Sequence, residues 1–115
     1  MSDLVIAIIN GPQASTKVVS LTGEMDEPSL QQIHLNIDPV LDDLSVTRVI
    51  FNLADLQYIN SKGIGYLVAV HSHLAKNQRK LVLVAANEPV MDVMSLVGLT
   101  SIIPHFENLE EALAA

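Results

Sequence analysis

One short run constrains the fold of this chain more than any other. Arg48-Val49-Ile50-Phe51-Asn52-Leu53 is apolar almost throughout, β-branched and aromatic, and too short to be a buried helix. Helix-spaced apolar residues lie on both sides of it. On the N-terminal side they are Leu30, Ile33, Ile37, Val40, Leu41 and Leu44; on the C-terminal side Ile64, Leu67, Val68, His71, Leu74 and Ala75. A strand set between two helices, with a further strand at Leu81-Val82-Leu83-Val84-Ala85, calls for parallel neighbours joined by right-handed crossovers.

The remaining segments fit around that unit. Leu4 to Ile9 reads as a first strand and Lys17 to Thr22 as a second, broken by Asn10-Gly11-Pro12, and the two are expected to pair antiparallel. Gly23-Glu24-Met25-Asp26 reads as a polar link. Pro28 suits a first helical turn, with Asp26 or Glu27 at the cap, and predicts a helix over about 28–42. Pro39 either kinks that helix or ends it near Ile37. The second helix should run from about Ser61 to Lys76. Asn87-Glu88-Pro89 opens a third, with Val90, Met91, Val93, Met94 and Val97 inward, closed by Gly98 as a left-handed cap with Leu99 in apolar contact. Ile102-Ile103 reads as a short last strand, held to an edge by Pro104, and Glu107 to Leu113 as a terminal helix. The order is β-β-α-β-α-β-α-β-α in one α/β domain, a mixed sheet of four to five strands with about four helices.

Composition removes several functions. At 115 residues, half of them hydrophobic, the chain can bury about two-thirds of its unfolded surface without staples. It has no Cys, which excludes disulfides and thiolate metal sites and fits an intracellular, cytoplasmic protein. The apolar run from Leu4 to Ile9 is far below the roughly 18 residues of a membrane span, and no basic residue precedes it. A net charge of −7 has the wrong sign for nucleic acid, and two Tyr and two Phe without Trp make a poor stacking platform. A protein partner is what remains.

The chemistry-bearing residues are few. His71 and His73 are two apart, so on a helix they do not face each other and make a poor metal pair. Gly63 and Gly65 open a helix after a strand, but Leu67-Val68-Ala69 lacks the third Gly of a dinucleotide fingerprint and Ala85-Ala86 lacks its acid. Two small residues there would let the helix start lie close to the sheet or to a partner. Asp26, Asp55 and Ser61 have no His spaced to serve as a base, so no hydrolase signature is present, and neither a catalytic site nor a cofactor is expected. Ser61 stands where a loop turns into a helix. Its hydroxyl can cap that helix, worth about 1 kcal/mol, or carry a phosphate, which the positive end of the helix dipole tolerates.

Three stretches together resemble a known family. Leu21-Thr22-Gly23-Glu24-Met25-Asp26 is similar to its Gly-Glu-hydrophobic-Asp turn. Asn52 to Gly65 is similar to its strand, link and Asp-Ser-Ser/Thr/Ala-Gly-Leu-Gly loop. Val97 to Ile103, followed by Leu109-Glu110-Glu111-Ala112-Leu113, is similar to its closing segment. The family is the STAS domain, in particular the bacterial anti-sigma factor antagonists. The resemblance covers essentially the whole chain and implies a STAS fold. It also implies a regulatory protein that is not an enzyme, with Ser61 phosphorylated by a GHKL-type anti-sigma kinase and reset by a phosphatase. Asp26, Asn60, Ser61, Lys62, Gly63 and Ile64 would then form the partner-binding surface. Two positions depart from the family pattern: Asn60 stands where it has Asp, and Lys62 where it has a small residue. They leave open a second role, a non-phosphorylated STAS subunit of a scaffold or lipid-transport ATPase complex. A third is a small-ligand or nucleotide-binding module built on the Gly63/Gly65 helix start.

Overall fold

Five strands form one sheet in the computed structural model, which describes residues 4–115. In chain order the elements are β1 (Val5–Asn10), β2 (Thr16–Met25), α1 (Leu30–Asp42), β3 (Arg48–Ile59), α2 (Ser61–Ala75), β4 (Lys80–Val84) and α3 (Glu88–Leu96). A 3-10 turn at Leu99–Ser101, β5 (His105–Phe106) and α4 (Leu109–Ala114) complete the chain. The strands lie in the order β1-β2-β3-β4-β5. β1 is antiparallel to β2, and β3, β4 and β5 add in parallel. The expected mixed sheet and element order are therefore present.

Alternation sorts the side chains onto two faces. Val19, Leu21, Val49, Phe51, Leu53, Leu81 and Leu83 point to one face. There they meet Ile33, Ile37 and Leu41 of α1, Leu67, Val70 and Leu74 of α2, and Val90 and Met94 of α3. Val18, Ile50, Val82 and Val84 point to the other, where Ala112 of α4 covers them. Three helices thus share one face and the short α4 takes the other. Burial on both faces is why the strand at Arg48 reads as continuously apolar instead of alternating.

Several boundaries differ from those expected. β2 runs on to Met25 and β3 to Ile59, so Gly23 to Met25 of the stretch read as a polar link is strand, as is Ala54 to Ile59. Their pairing shifts register between Ser20 and Thr22 and again between Gly23 and Glu24. Each shift inserts one residue into β3, so its core residues Leu53, Leu56 and Ile59 come three apart instead of two. α1 begins at Leu30, two residues late, because Asp26 to Ser29 is tied into a turn of its own. It passes Pro39 unbroken, with Pro39 exposed on the side opposite Ile33, Ile37 and Leu41. The inner face of α2 is rotated from that expected: Tyr66 and Val70 are buried, whereas Val68 is exposed and His71 half-buried. In α3 the buried pair is Val90 and Met94, and Val97 is exposed. Gly98 is left-handed (φ 80°) and Leu99 buried, as expected. Ile102-Ile103 is not a strand; the edge strand is His105–Phe106. Pro104 joins its ladder through the one group it has, its carbonyl accepting from Leu83 N–H at 3.0 Å.

Candidate functional site

The parallel strands point to one pole of the sheet; β2 and β3 run on past the ends of β4 and β5, and their last residues hold the start of α2. Asn60 N–H donates to the Met25 carbonyl at 3.2 Å, which ties the two strand ends to the loop. Gly63 lies directly above that junction. A Cβ there would sit 2.8 Å from Met25 O and 2.7 Å from Ile59 Cγ1, so only glycine allows this approach. Gly65 meets nothing within 4 Å, so packing does not require it. The close approach to the sheet expected of the glycine pair belongs to Gly63 alone.

The cap of α2 is Asn60, not Ser61. Asn60 Oδ1 accepts from Lys62 N–H at 3.0 Å and Gly63 N–H at 3.2 Å, while its backbone is extended (φ −110°, ψ −172°) as a cap residue requires. Ser61 is therefore the first helical residue. It is exposed, and among the described residues its hydroxyl makes no hydrogen bond. Sequence reasoning offered the hydroxyl as one possible cap and did not weigh Asn60, which is an equally good cap and stands one residue earlier. Lys62 is exposed beside Ser61, and the first turn of α2 carries no acid.

The other residues expected at the partner surface are placed differently. Gly63 is buried, and Ile64 is half-buried and packs against the core, so both serve the scaffold of the loop. Asp26 follows Met25 directly and is half-buried. Its Oδ1 accepts from Ser29 N–H at 3.2 Å, and the Ser29 hydroxyl accepts from Asp26 N–H at 3.0 Å. A rigid turn thus stands at the end of β2, next to the strand end that carries Asn60. On the far side Asn87, the cap of α3, donates from Nδ2 to Leu56 O at 2.8 Å and fixes a third loop to the same pole. Met25 and Asn87 are the positioning residues that sequence reasoning missed. Asn87 was legible as a cap, but its cross-strand bond depends on how far β3 extends.

A separate groove of about 260 Å³ lies between α1 and α2. There Tyr66 Oη donates to Asp38 Oδ1 at 3.1 Å, and His34 Nδ1 lies 2.8 Å from Asp38 Oδ2. Burial and the Asp38 carboxylate push the Tyr66 phenol well above its usual range, so it stays a donor. His73 reaches Asp42 on α1 at 3.8 Å and His71 is half-buried, so the two histidines serve different surroundings. Among the described residues no group of His, Asp or Glu is arranged to hold a metal, and no helix is long and apolar enough to cross a membrane.

This architecture has clear relatives. The anti-sigma F factor antagonist of Paenibacillus polymyxa is 23% identical over 96 residues, covering 84% of this chain and 82% of that protein. An anti-sigma factor antagonist from Mycobacterium paratuberculosis superposes with a TM-score of 0.88 at 23% identity, over 97% of this chain and 92% of the other. The anti-sigma factor antagonist SpoIIAA in its unphosphorylated form gives 0.79 at 24% identity, over 95% and 93%. At these identities the structures speak for the fold. The family model for the STAS domain matches residues 7–112, nearly the whole chain, and with the glycine-bound loop at the sheet pole this places the chain in the STAS domain family.

Proposed function

We propose that this STAS domain is a regulatory binder of the anti-sigma factor antagonist type, switched by phosphorylation of Ser61. One observation carries the reading. Because Asn60 takes the capping bonds, the Ser61 hydroxyl has no hydrogen-bond partner among the described residues and is exposed at the first position of a 15-residue helix. A kinase could reach it without dismantling the helix. The phosphate would add about −1.5 to −2 charges at the positive end of the helix dipole, which stabilises it. The fold would survive while an apolar or acidic partner surface docked there would be repelled. Asp26, Asn60, Ser61 and Lys62 form the outward part of that surface; Gly63 and Ile64 hold it in place. The partner is a GHKL-type serine kinase acting as anti-sigma factor, in the cytoplasm, with a phosphatase to reset the switch.

Incubation with such kinases and ATP, followed by mass spectrometry, tests this. Phosphate on Ser61 is expected, with none on Ser61→Ala. Ser61→Asp should keep the fold and bind the kinase less tightly, whereas Ser61→Ala should bind constitutively. No phosphate on Ser61 with any candidate kinase would remove the switch. Asn60 caps the helix as an Asp would, yet without its charge, and Lys62 places a cation beside the acceptor. These two support a second reading, a constitutive subunit of a scaffold or lipid-transport ATPase complex. Recovery of an ATPase and no kinase on co-purification would favour it.

A further inference from the structure

β1 is an edge strand, and nothing in its sequence protects it. Val5-Ile6-Ala7-Ile8-Ile9-Asn10 contains no charge, no proline and no bulge in its pairing with β2. Edge strands usually carry such features, because a row of unpaired N–H and C=O groups recruits another strand. Ile6 and Ile8 face the main core, while Val5, Ala7 and Ile9 face the opposite side. α4 packs over Val18, Ile50, Val82 and Val84 on that side, together with Ala85 and Phe106, none of them on β1. Val5 is left 58% exposed and Ile9 59%.

We infer that β1 is a pairing edge for β1 of a second copy, joining two five-stranded sheets across a twofold axis through Ala7. Among the described residues only β2 pairs with β1, and a backbone edge left open in this way specifies a strand as the occupant. The side chains specify which strand. An antiparallel pairing centred on Ala7 sets Val5 against Ile9 twice and Ala7 against Ala7, so the outer apolar stripe matches itself. It also sets Ile6 against Ile8 and extends the core face. A centre shifted by one half-step would oppose the two faces and lose both matches. Two copies each carrying −7 repel, which weakens the pair, while the β1 edge itself carries no charge. The site is separate from the Ser61 loop, which β2 and β3 hold, so it does not depend on the phosphorylation reading. Six residues per chain bury less than the roughly 800 Å² per partner of a standard interface, so the dimer is weak, with Kd between about 10 µM and 1 mM.

Sedimentation over a concentration series up to roughly 1 mM tests this, with circular dichroism to confirm folding. The wild type should pass from monomer to dimer. Ala7→Lys places two cations at the axis and should weaken association by at least about tenfold. Ala7→Glu should do the same. A mixture of the two should recover the dimer, because Lys then faces Glu. A wild type that stays monomeric overturns the inference, as does a dimer that both variants leave intact. Should either variant fail to fold, amide hydrogen exchange on the wild type decides. Exchange in β1 that slows as concentration rises supports the pairing; exchange independent of concentration overturns it.

Discussion

Two serines stand at two helix starts on the same pole of the sheet, and they have opposite fates. Ser29 precedes α1. It is 7% exposed, its hydroxyl is bonded to Asp26 N at 3.0 Å and Asp26 O at 2.9 Å, and its own N–H goes to the Asp26 carboxylate. Ser61 opens α2, is exposed, and gives the capping role to Asn60. The difference lies in the neighbour. An Asp three residues before Ser29 engages it in a closed turn, whereas an Asn one residue before Ser61 takes the Lys62 and Gly63 N–H groups itself and leaves the Ser61 hydroxyl out of the cap. Ser29 is a structural residue; Ser61 is an available one.

The largest expected effect tests the ground on which Ser61 stands. Gly63→Ala would push a methyl onto Met25 O, a backbone atom that cannot turn aside. We expect a loss of about 1–3 kcal/mol, seen as a lower midpoint in urea unfolding. A Gly65→Ala control, with no atom within 4 Å, should be neutral or slightly stabilising. A smaller effect sets the serines directly against each other. Ser29→Ala removes a partly buried reciprocal pair and should cost about 1–2 kcal/mol. Ser61→Ala should change thermal stability by no more than about 0.5 kcal/mol. Equal costs would erase the contrast.

Asn60 itself comes next. Asn60→Ala should cost about 1 kcal/mol, whereas Asn60→Asp should retain the cap and add a favourable charge at the dipole. The smallest effect extends the contrast between engaged and free groups to pH. His105 Nε2 accepts from Ala86 N–H at 3.2 Å, and burial pushes its pKa below the ordinary 6.5, with Glu107 opposing in part. The folded state therefore favours neutral His105. That contribution is present above the unfolded pKa and is lost as pH falls through the lower folded one. Melting temperature should decline between about pH 7 and pH 5 in the wild type, and less so in His105→Gln.

How much of this was legible varies from residue to residue. The apolar run at Arg48 and the helix-spaced residues flanking it named the parallel unit, because periodicity reflects burial directly. The rotation of α2 was not legible. Val68 and Tyr66 are both acceptable on an inner face, and only the packing against α1 selects Tyr66, whose hydroxyl finds Asp38. The strand extensions left a faint signal in the three-residue spacing of Leu53, Leu56 and Ile59. It was hidden because a bulge imitates neither the strand period nor the helix period.

For the site, the sequence by itself determined that a serine stands at a helix start in a chain without metal-binding thiols or a basic face. Its similarity to the family motif singled out Ser61 from the other serines. Tertiary structure alone decided which of Asn60 and Ser61 caps the helix and which stays free. It also decided that Gly63 is a contact and Gly65 is not. Capping and close approach are set by where the ends of β2 and β3 lie relative to α2, and Met25 O is 35 residues earlier in the chain than Asn60 N. A pattern local in sequence cannot encode that meeting; the bulged register of two parallel strands creates it.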